Sequence, residues 1–405
     1  MEKKESSNLF EIIIVIIFLL GCWYYISPNS FLNTFSFFNK DKKIVEKSRT
    51  ILVYMSPSNI ESVYGLASND LNSIDKEKFD FEHNQLIVMA GGSNSWRNNL
   101  KKNPTIYKYN KMGNYEEIDD GGGHTNMGDA ATLSYFLNYV SDNYKSDEYI
   151  VYLYGHGNGI DGLLPDEVSN DGLSLSEMNR AFNNSLIDFD LFISNSCLMG
   201  TIETLDILSN HAKYAITTEE VGWSTRSMPM FAMFNKLDST KDLVTFSKEY
   251  IDYYKESVKD ITDYATMSLV DLEEIPSLYS EVHNLFGSID VDKFYEPIKT
   301  YRSGLTQISN DDILDEVDLQ RAMSQFFNFD YDGSEERYSK QIKKTVIYSY
   351  SNTANLTGIS IWFPYYDSKV KGDYFVGNEY LYKEGTGYRN FISKFIKKQK
   401  EEYGI

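Results

Sequence analysis

Two short apolar runs, each ending in a reactive side chain, constrain this chain more than any other feature. Residues 149–154 end in a glycine-rich turn that carries His156, and residues 189–194 lead directly to Cys197. Between them, residues 174–183 have apolar side chains spaced by three and four, which predicts a helix. A strand, a helix and a strand in one sheet make a right-handed crossover between parallel strands. We therefore expect His156 and Cys197 at the same carboxyl edge, where open α/β sheets hold their sites. A histidine beside a thiol is the minimum for nucleophilic cysteine chemistry.

The acidic composition narrows the class of partner. The chain has 405 residues, of which 39 are basic and 59 acidic, and its net charge is −20. Nucleic acids and anionic lipid surfaces attract basic proteins, so the charge favours neither as a partner. The two cysteines are Cys22 and Cys197. Because Cys22 lies in an apolar segment, we expect no disulfide between them, and the compartment cannot be read from cysteine pairing.

The amino-terminal segment, residues 1–26, predicts export from the cytoplasm. Residues 12–26 are uninterrupted apolar, and as a helix they would reach about 22 Å, short of the roughly 30 Å hydrocarbon core of a bilayer. The segment fits a signal peptide whose processing leaves a lipid on Cys22, or a signal anchor. Both interpretations place the protein outside the cytoplasm and attached to a bacterial membrane, or secreted if the segment is cleaved. Residues 27–48 are interpreted as a tether.

The rest of the chain alternates strand and helix patterns, which predicts an α/β fold with a mostly parallel central sheet and helices on both faces. We expect a catalytic domain at 49–260, and at 261–405 a part that completes the sheet and adds a smaller C-terminal subdomain. The predicted strands are 50–55, 86–90, 105–109 (an edge strand), 149–154, 189–194, 213–218, 265–270, 344–350 and 358–363. The predicted helices are one with Val63, Leu66, Leu71 and Ile74 on its apolar face, then 130–144 with Asn126 as its cap, 174–183, 199–208, 240–259, 272–286 and 389–400.

Five segments give the chain its resemblance to a known family. They are ILVYMSPSNIESVYGLASNDLN, GGGHTNMGDAATLSYFLNY, YLYGHGNG, FISNSCLMGTIE and TGISIWFP. In this order the chain, from about residue 50 to about residue 396, resembles the clostripain family of cysteine endopeptidases, within the clan of caspases, gingipains and legumains.

The resemblance implies a caspase-like α/β/α sandwich and a catalytic pair. Cys197 would attack the scissile carbonyl, and His156 would transfer the protons. Two backbone amides, those of Gly157 and Cys197, are candidates for the oxyanion site. Cys197 would also precede a helix over 199–208, and a helix N-terminus favours thiolate over thiol. His124, in a similar glycine-rich setting, is interpreted as part of a flexible approach to the next helix.

The chain departs from the family at the specificity pocket. Family members that cut after Arg or Lys carry an aspartate two residues before the nucleophile, and here that position is Asn195. An amide loses the charge that pairs with a guanidinium, so the residue preference before the cut stays open. Thr218, Glu219 and Glu220 follow the next strand and are further candidates for substrate binding; either glutamate would restore a negative charge.

Self-cleavage between the histidine and cysteine motifs, which several family members use for maturation, also looks different here. Arg180 is the one basic residue in this interval, and it lies within a predicted helix. The more accessible loop, 165–172, has no Lys or Arg. We expect the protein either to work as one chain or to cut itself after a non-basic residue such as Asn170.

Four other expectations complete the sequence analysis. We expect no required cofactor, although the acidic loops 310–312 and 330–335 have oxygen ligands suited to calcium without the twelve-residue EF-hand spacing. A catalytically silent peptide-binding protein with the same cleft is the alternative from another class. A transpeptidase or asparaginyl-type ligase using the same pair is a second enzymatic alternative. We expect a monomer that acts on a protein or peptide substrate.

Overall fold

The computed structural model describes residues 46–305, 307–308, 316–326, 335–353, 356–365 and 387–404. The predicted export segment, most of the tether, the first acidic loop (310–312) and all of the second except Glu335 lie outside the described residues. Residues Lys47–Ile405 form one compact unit. Of the helices in the described ranges, none combines the length and the apolar character needed to cross a bilayer.

The described chain is built on one large sheet of nine strands in the order β12-β10-β9-β8-β5-β1-β2-β3-β4. Its strands are β1 (Arg49–Ser56), β2 (Asn84–Ala90), β3 (Thr105–Tyr109), β4 (Tyr115–Asp119), β5 (Glu148–Gly155), β8 (Phe189–Ser194), β9 (Ala212–Thr217), β10 (Thr266–Asp271) and β12 (Val346–Ser351). The five strands from β9 to β2 are parallel to one another, and two antiparallel strands are added at each side. The predicted mostly parallel centre is confirmed.

The parallel strands are apolar because helices cover both of their faces. Every residue of β1 is buried, and so are all residues of β5 but one. The helices are α1 (Asn59–Ser62), α2 (Leu66–Asn72), α3 (Ala130–Asn143), α4 (Leu175–Asn183), α5 (Ile202–Leu208), α6 (Leu243–Val258), α7 (Ile275–Gly287), α8 (Val291–Gly304), α9 (Leu319–Phe326), α10 (Glu335–Thr345) and α11 (Gly387–Tyr403). One face packs against α2 and α6, and the other against α3, α4, α5 and the helices from α7 onward.

Two small antiparallel pairs stand outside the main sheet. A hairpin pairs β6 (Leu163–Asp166) with β7 (Asp171–Leu173), within the segment that links the histidine and cysteine strands. A ribbon pairs β11 (Glu316–Asp318) with β13 (Ser360–Trp362). The predicted late strands therefore both form, but β12 joins the main sheet and β13 joins the ribbon.

The structure corrects four details of the sequence interpretation. The predicted edge strand β3 is flanked by β4, whose charged sequence is typical of an edge. The predicted helix after β1 is interrupted at Gly65, which has φ +65°, so Val63 is 57% exposed rather than part of an apolar face. Helix α3 is capped by Asp129, whose side chain accepts from the Ala131 amide, and not by Asn126. The helix after Cys197 begins at Ile202 instead of residue 199.

Candidate active site

The pairing of β5 with β8 places His156 and Cys197 at the same rim of the sheet. In this parallel pair Leu153 lies opposite Ser194, so His156 and Cys197 each follow their strand partners by the same number of residues. The two segments that follow β5 and β8 stay in contact beyond the ends of the strands. A Cβ added to Gly157 would lie 2.2 Å from the Cys197 carbonyl oxygen and 2.9 Å from its nitrogen. Glycine at position 157 is therefore required for this close approach.

Cys197 lies in a tight turn rather than on a helix N-terminus. The residue after it, Leu198, has φ +63°, a left-handed conformation that is uncommon outside glycine and clusters at functional sites. The turn is held by the segment after β9, because the Leu198 amide donates to the Glu220 carbonyl at 3.2 Å and the Gly200 amide to the Thr218 carbonyl at 2.7 Å. Since α5 begins only at Ile202, the expected effect of its dipole on the thiol is not supported.

The environment of Cys197 favours the neutral thiol in the absence of substrate. The residue is partly exposed, and its sulfur donates to the Gly222 carbonyl oxygen at 3.7 Å. Burial raises the pKa of the Cys197 thiol above its ordinary value of 9.0, and the nearby Glu220 charge acts in the same direction. Backbone hydrogen bonds at Gly222, Gly157 and Cys197 itself act to lower that pKa. The backbone groups of these turns therefore oppose the effect of burial on the thiol.

The imidazole of His156 is positioned by Asn59, a residue that the sequence analysis missed. His156 Nε2 lies 2.6 Å from the Asn59 side-chain oxygen. An amide oxygen only accepts, so Nε2 carries the proton and Nδ1 is left as the proton acceptor of the ring. Burial lowers the pKa of His156 from its ordinary value of 6.5. Asn59 follows β1, the neighbour of β5, and this was the signal that could have identified it.

The loop after His156 is also supported by a residue from the distant β11 strand. The fully buried Glu316 accepts a hydrogen bond from the Ile160 amide at 3.2 Å and lies directly against Gly159. Burial raises the pKa of Glu316 well above its ordinary range, and the charge of Glu203 adds to this effect. The Leu164 amide donates to the His156 carbonyl at 2.8 Å. The backbone on both sides of the imidazole is therefore fixed.

Asn195 lies on the opposite face of the sheet from the loop that follows His156. Side chains alternate along a strand, so Asn195 points to the same face as Ile193, which packs with α2 and α6. Its amide nitrogen donates to the Ser224 hydroxyl at 3.2 Å, and 8% of the residue is exposed. A carboxylate on the same face, Asp70, is buried and accepts from the Tyr154 hydroxyl at 2.9 Å. Asp70 is therefore committed to an internal partner.

The three other candidates for substrate binding follow β9 but are buried. Thr218 and Glu219 are both 0% exposed. The Thr218 hydroxyl donates to the Ser196 carbonyl at 3.1 Å, and the Glu219 carboxyl accepts from the Gly358 amide at 2.7 Å. Burial raises the pKa of Glu219 well above its ordinary range, and Asp318 reinforces the shift. These contacts give Thr218 and Glu219 internal partners, whereas Glu220 lies close enough to affect the thiol.

His124 has no contact with this constellation in the described structure; its ring packs against Tyr135, 5.4 Å between centroids. Among the described residues, no group of three or more His, Cys, Asp and Glu side chains is arranged to hold a metal ion.

Comparison with known proteins identifies the family. A sequence model of the clostripain family matches residues 53–395. The chain belongs to the clostripain family. A secreted C11 cysteine protease from Bacteroides thetaiotaomicron, solved with an irreversible peptide inhibitor, shares the fold with a TM-score of 0.60 and 18% identity, over 81% of this chain and 94% of that one. An inactive zymogen C11 protease from Parabacteroides distasonis matches with a TM-score of 0.62 and 15% identity, over 88% and 96%. No curated protein matches the chain significantly.

The clostripain-family fold is the expected caspase-like one, and the family consists of cysteine peptidases. At 14–18% identity the solved structures support the fold of this clostripain-family chain, not the role of any residue.

The raised pKa of Cys197 leads to a prediction about its alkylation. We expect the rate of alkylation by iodoacetamide to be low at pH 7 and to rise with a midpoint above 9.0, because the thiolate is the reacting form and burial disfavours it. Mass spectrometry of the peptide that contains Cys197, over a range of pH, measures this rate. The same peptide in urea provides the unfolded reference, and a rate that is already maximal at pH 7 would contradict the prediction.

Proposed function

We propose that this protein is a cysteine endopeptidase whose catalytic residues are His156 and Cys197. The observation that carries the proposal is the matched register of β5 and β8, with the Gly157 and Cys197 backbones in contact beyond it. This arrangement brings the turns that carry the His156 imidazole and the partly exposed Cys197 thiol together at the carboxyl edge of the parallel sheet. It has the base, the nucleophile and an orienting third group that covalent catalysis requires.

In the proposed reaction the Cys197 proton passes to Nδ1 of His156 as the sulfur attacks the scissile carbonyl. Nδ1 is the nitrogen assigned to this role because Asn59 holds Nε2. The tetrahedral intermediate collapses when the C–N bond breaks and His156 returns the proton to the leaving amine. Water, deprotonated by the same imidazole, then hydrolyses the thioester to release a carboxylic acid and restore the thiol.

The developing oxyanion would be stabilised by the backbone amides of Gly157 and Cys197. Backbone hydrogen bonds at both residues act to lower the pKa of the thiol, and the two backbones are in contact at the rim, which supports this assignment. Removing one oxyanion donor typically reduces the rate by about 10²–10³. A side chain at position 157 would collide with Cys197 and displace one of these two donors.

A mutant series separates this proposal from its two alternatives. We expect Cys197→Ala and His156→Ala to abolish hydrolysis. We expect Asn59→Ala to lower kcat by about ten-fold or more with little change in KM, because an imidazole that rotates freely is less often oriented for proton transfer. The readouts are peptide hydrolysis and covalent labelling by an acyloxymethyl-ketone probe.

A silent peptide-binding protein would bind substrate peptides but leave the probe unreacted in the wild type. A transpeptidase would give ligated products when an amine acceptor is added, which product masses reveal. Hydrolysis that survives in Cys197→Ala would refute the proposal.

We propose that the residue before the cut is uncharged. Asn195 replaces the family's acidic pocket residue, and its amide is bonded to Ser224. The carboxylate of Asp70 on the same face is buried against Tyr154. Glu219 is turned inward to Gly358. In this proposal Asn195 supplies hydrogen bonds to the pocket, while Asp70 and Glu219 direct their carboxyl groups to internal partners.

Restoring the carboxylate should change this preference. We expect Asn195→Asp to raise kcat/KM for substrates with Arg before the cut by about ten- to a hundred-fold, since a hydrogen bond to a charged group contributes about 1.5–3 kcal/mol. Peptide-library profiling of wild type and variant measures the shift. The matched control is Asn184→Asp, which adds the same charge at the far end of α4. A wild type that already prefers Arg or Lys would contradict the neutral pocket.

We further propose that the protein works as a single chain. The β6–β7 hairpin, which contains the more accessible loop, is anchored on both sides. The buried Asp166 accepts from the Met127 amide at 2.8 Å, the Glu167 amide donates to the Gly92 carbonyl, and Asn126 donates to Asp171 at 2.7 Å. A segment held by these bonds is a poor substrate, because a protease needs extended and accessible backbone.

Intact mass spectrometry tests the single-chain proposal. We expect purified wild type and the Cys197→Ala variant to have no internal cleavage between residues 157 and 196. Fragments that appear in the wild type alone, with a cut after Asn170, would instead support self-cleavage at the tip of the hairpin. A cysteine-dependent cut after Arg180, within α4, would contradict both interpretations.

Export, attachment and cofactors stay proposals. A related C11 protease is secreted, which supports an extracytoplasmic location for this chain. We propose that residues 1–26 direct export, with Cys22 as the lipidated residue or the segment as an anchor. We also propose a monomer that needs no cofactor for the chemistry above.

A further inference from the structure

A cleft begins at His156 and runs away from the face that carries Asn195. Its volume is about 540 Å³, within the range of roughly 300–1,000 Å³ that ligand pockets occupy. The histidine turn forms one wall and the β6–β7 hairpin forms the other. Leu163 and Leu173 are buried and packed with α3 and α4, and with Pro165 they form the apolar part of a lining that also contains polar side chains such as Asn158 and Ser174. Cys197 and Asn195 are not among the residues that line it.

The position of the cleft relative to the catalytic residues determines which half of a substrate can reach it. The acyl half of the substrate must reach Cys197 and, in the proposed pocket, Asn195 on the opposite face of the sheet. The leaving half departs with a proton from His156, which itself lines the cleft. A chain that crosses the rim from Asn195 over Gly157 therefore enters the cleft with the residues that follow the scissile bond.

The chemistry of the cleft selects a particular side chain. The apolar part of its lining suits a long aliphatic stem. Among the described residues that line it, Asp161 is the one carboxylate, and it is exposed. Lys and Arg bury their methylene stems along apolar surface while the charged end stays near water, so their length and charge match both features.

We propose that this cleft binds the residue immediately after the scissile bond and that Asp161 selects Lys or Arg there and disfavours Asp and Glu. This inference rests on the proposed peptidase function and extends it to the leaving half of the substrate. The β6–β7 hairpin is then a wall of the substrate site, which is a second reason for it to stay uncut.

The test uses two kinds of substrate with the same uncharged residue before the cut. Acyl-coumarins have no amino acid after the cut and report the catalytic residues alone. Internally quenched peptides carry Lys, Met or Glu directly after the cut. For the wild type we expect kcat/KM for the Lys peptide to exceed that for the Glu peptide by about ten-fold or more, as unit charges a few ångströms apart near a protein surface would produce.

Charge reversal in Asp161→Lys should bring the ratio of kcat/KM for the Lys peptide to kcat/KM for the Glu peptide to one or below. Each value is first divided by the rate at which the same variant hydrolyses the coumarin substrate. The matched control is Asp142→Lys, which makes the same change on an exposed residue near the end of α3, beside the start of β1 at the opposite rim. It should keep the wild-type ratio.

The outcomes separate the two proposals. Coumarin hydrolysis with a wild-type Lys-to-Glu ratio near one, or a ratio that Asp161→Lys leaves unchanged, overturns the assignment of the cleft while the peptidase function stands. If the wild type cleaves neither kind of substrate, the peptidase proposal fails and this inference fails with it.

Discussion

The parallel pairing of β5 with β8 is the constraint on which the site depends. Parallel strands joined by a crossover must both end at the same edge, and this register puts His156 and Cys197 at equivalent heights. The strands are buried on both faces, so a slip by one residue would move every side chain to the wrong side. The chemistry of the site is thus a consequence of the hydrophobic pattern of two strands, with the reactive residues placed just beyond it.

Buried carboxyl groups connect this rim to the last part of the chain. Glu203 accepts from the Trp362 amide at 3.1 Å, Glu219 from the Gly358 amide at 2.7 Å, and Glu316 from the Ile160 amide at 3.2 Å. Each bond satisfies a backbone donor that would otherwise be buried without a partner. By sequence alone Glu219 is a candidate for a charged substrate pocket, but in this fold it joins Glu203 and Glu316 as an internal support for the turns that carry His156 and Cys197.

The sequence predicts the strands and helices that have strong apolar patterns. The prediction fails for elements whose sequence has no such pattern or whose backbone conformation breaks it. The central strands and the helices α3, α4 and α6 follow from their periodicity. Strand β4 is charged and the β6–β7 hairpin is short, so neither has a pattern that differs from a loop. The break at Gly65 depends on a left-handed backbone conformation that the surrounding apolar spacing conceals.

In the candidate site, too, the sequence predicts the residues that stand in local motifs and misses those that come from distant parts of the chain. His156, Gly157 and Cys197 stand in recognisable local motifs, and the structure brings these motifs together. Asn59 and Glu316 support His156 and its loop from positions far away in the sequence, and a single sequence gives no sign of contacts that only the folded sheet creates. The environment of Glu219 likewise depends on Asp318 and Gly358, which come much later in the chain.

This dependence on late residues has a consequence for biosynthesis. His156 and Cys197 emerge from the ribosome well before Gly358 and Trp362, whose amides complete the buried bonds beneath the rim. Until those residues are available, the hydrogen bonds that Glu203 and Glu219 accept from them cannot form, and the turns around Cys197 lack this support. The rim around His156 and Cys197 can therefore reach its final structure only after the chain has been made as far as Trp362.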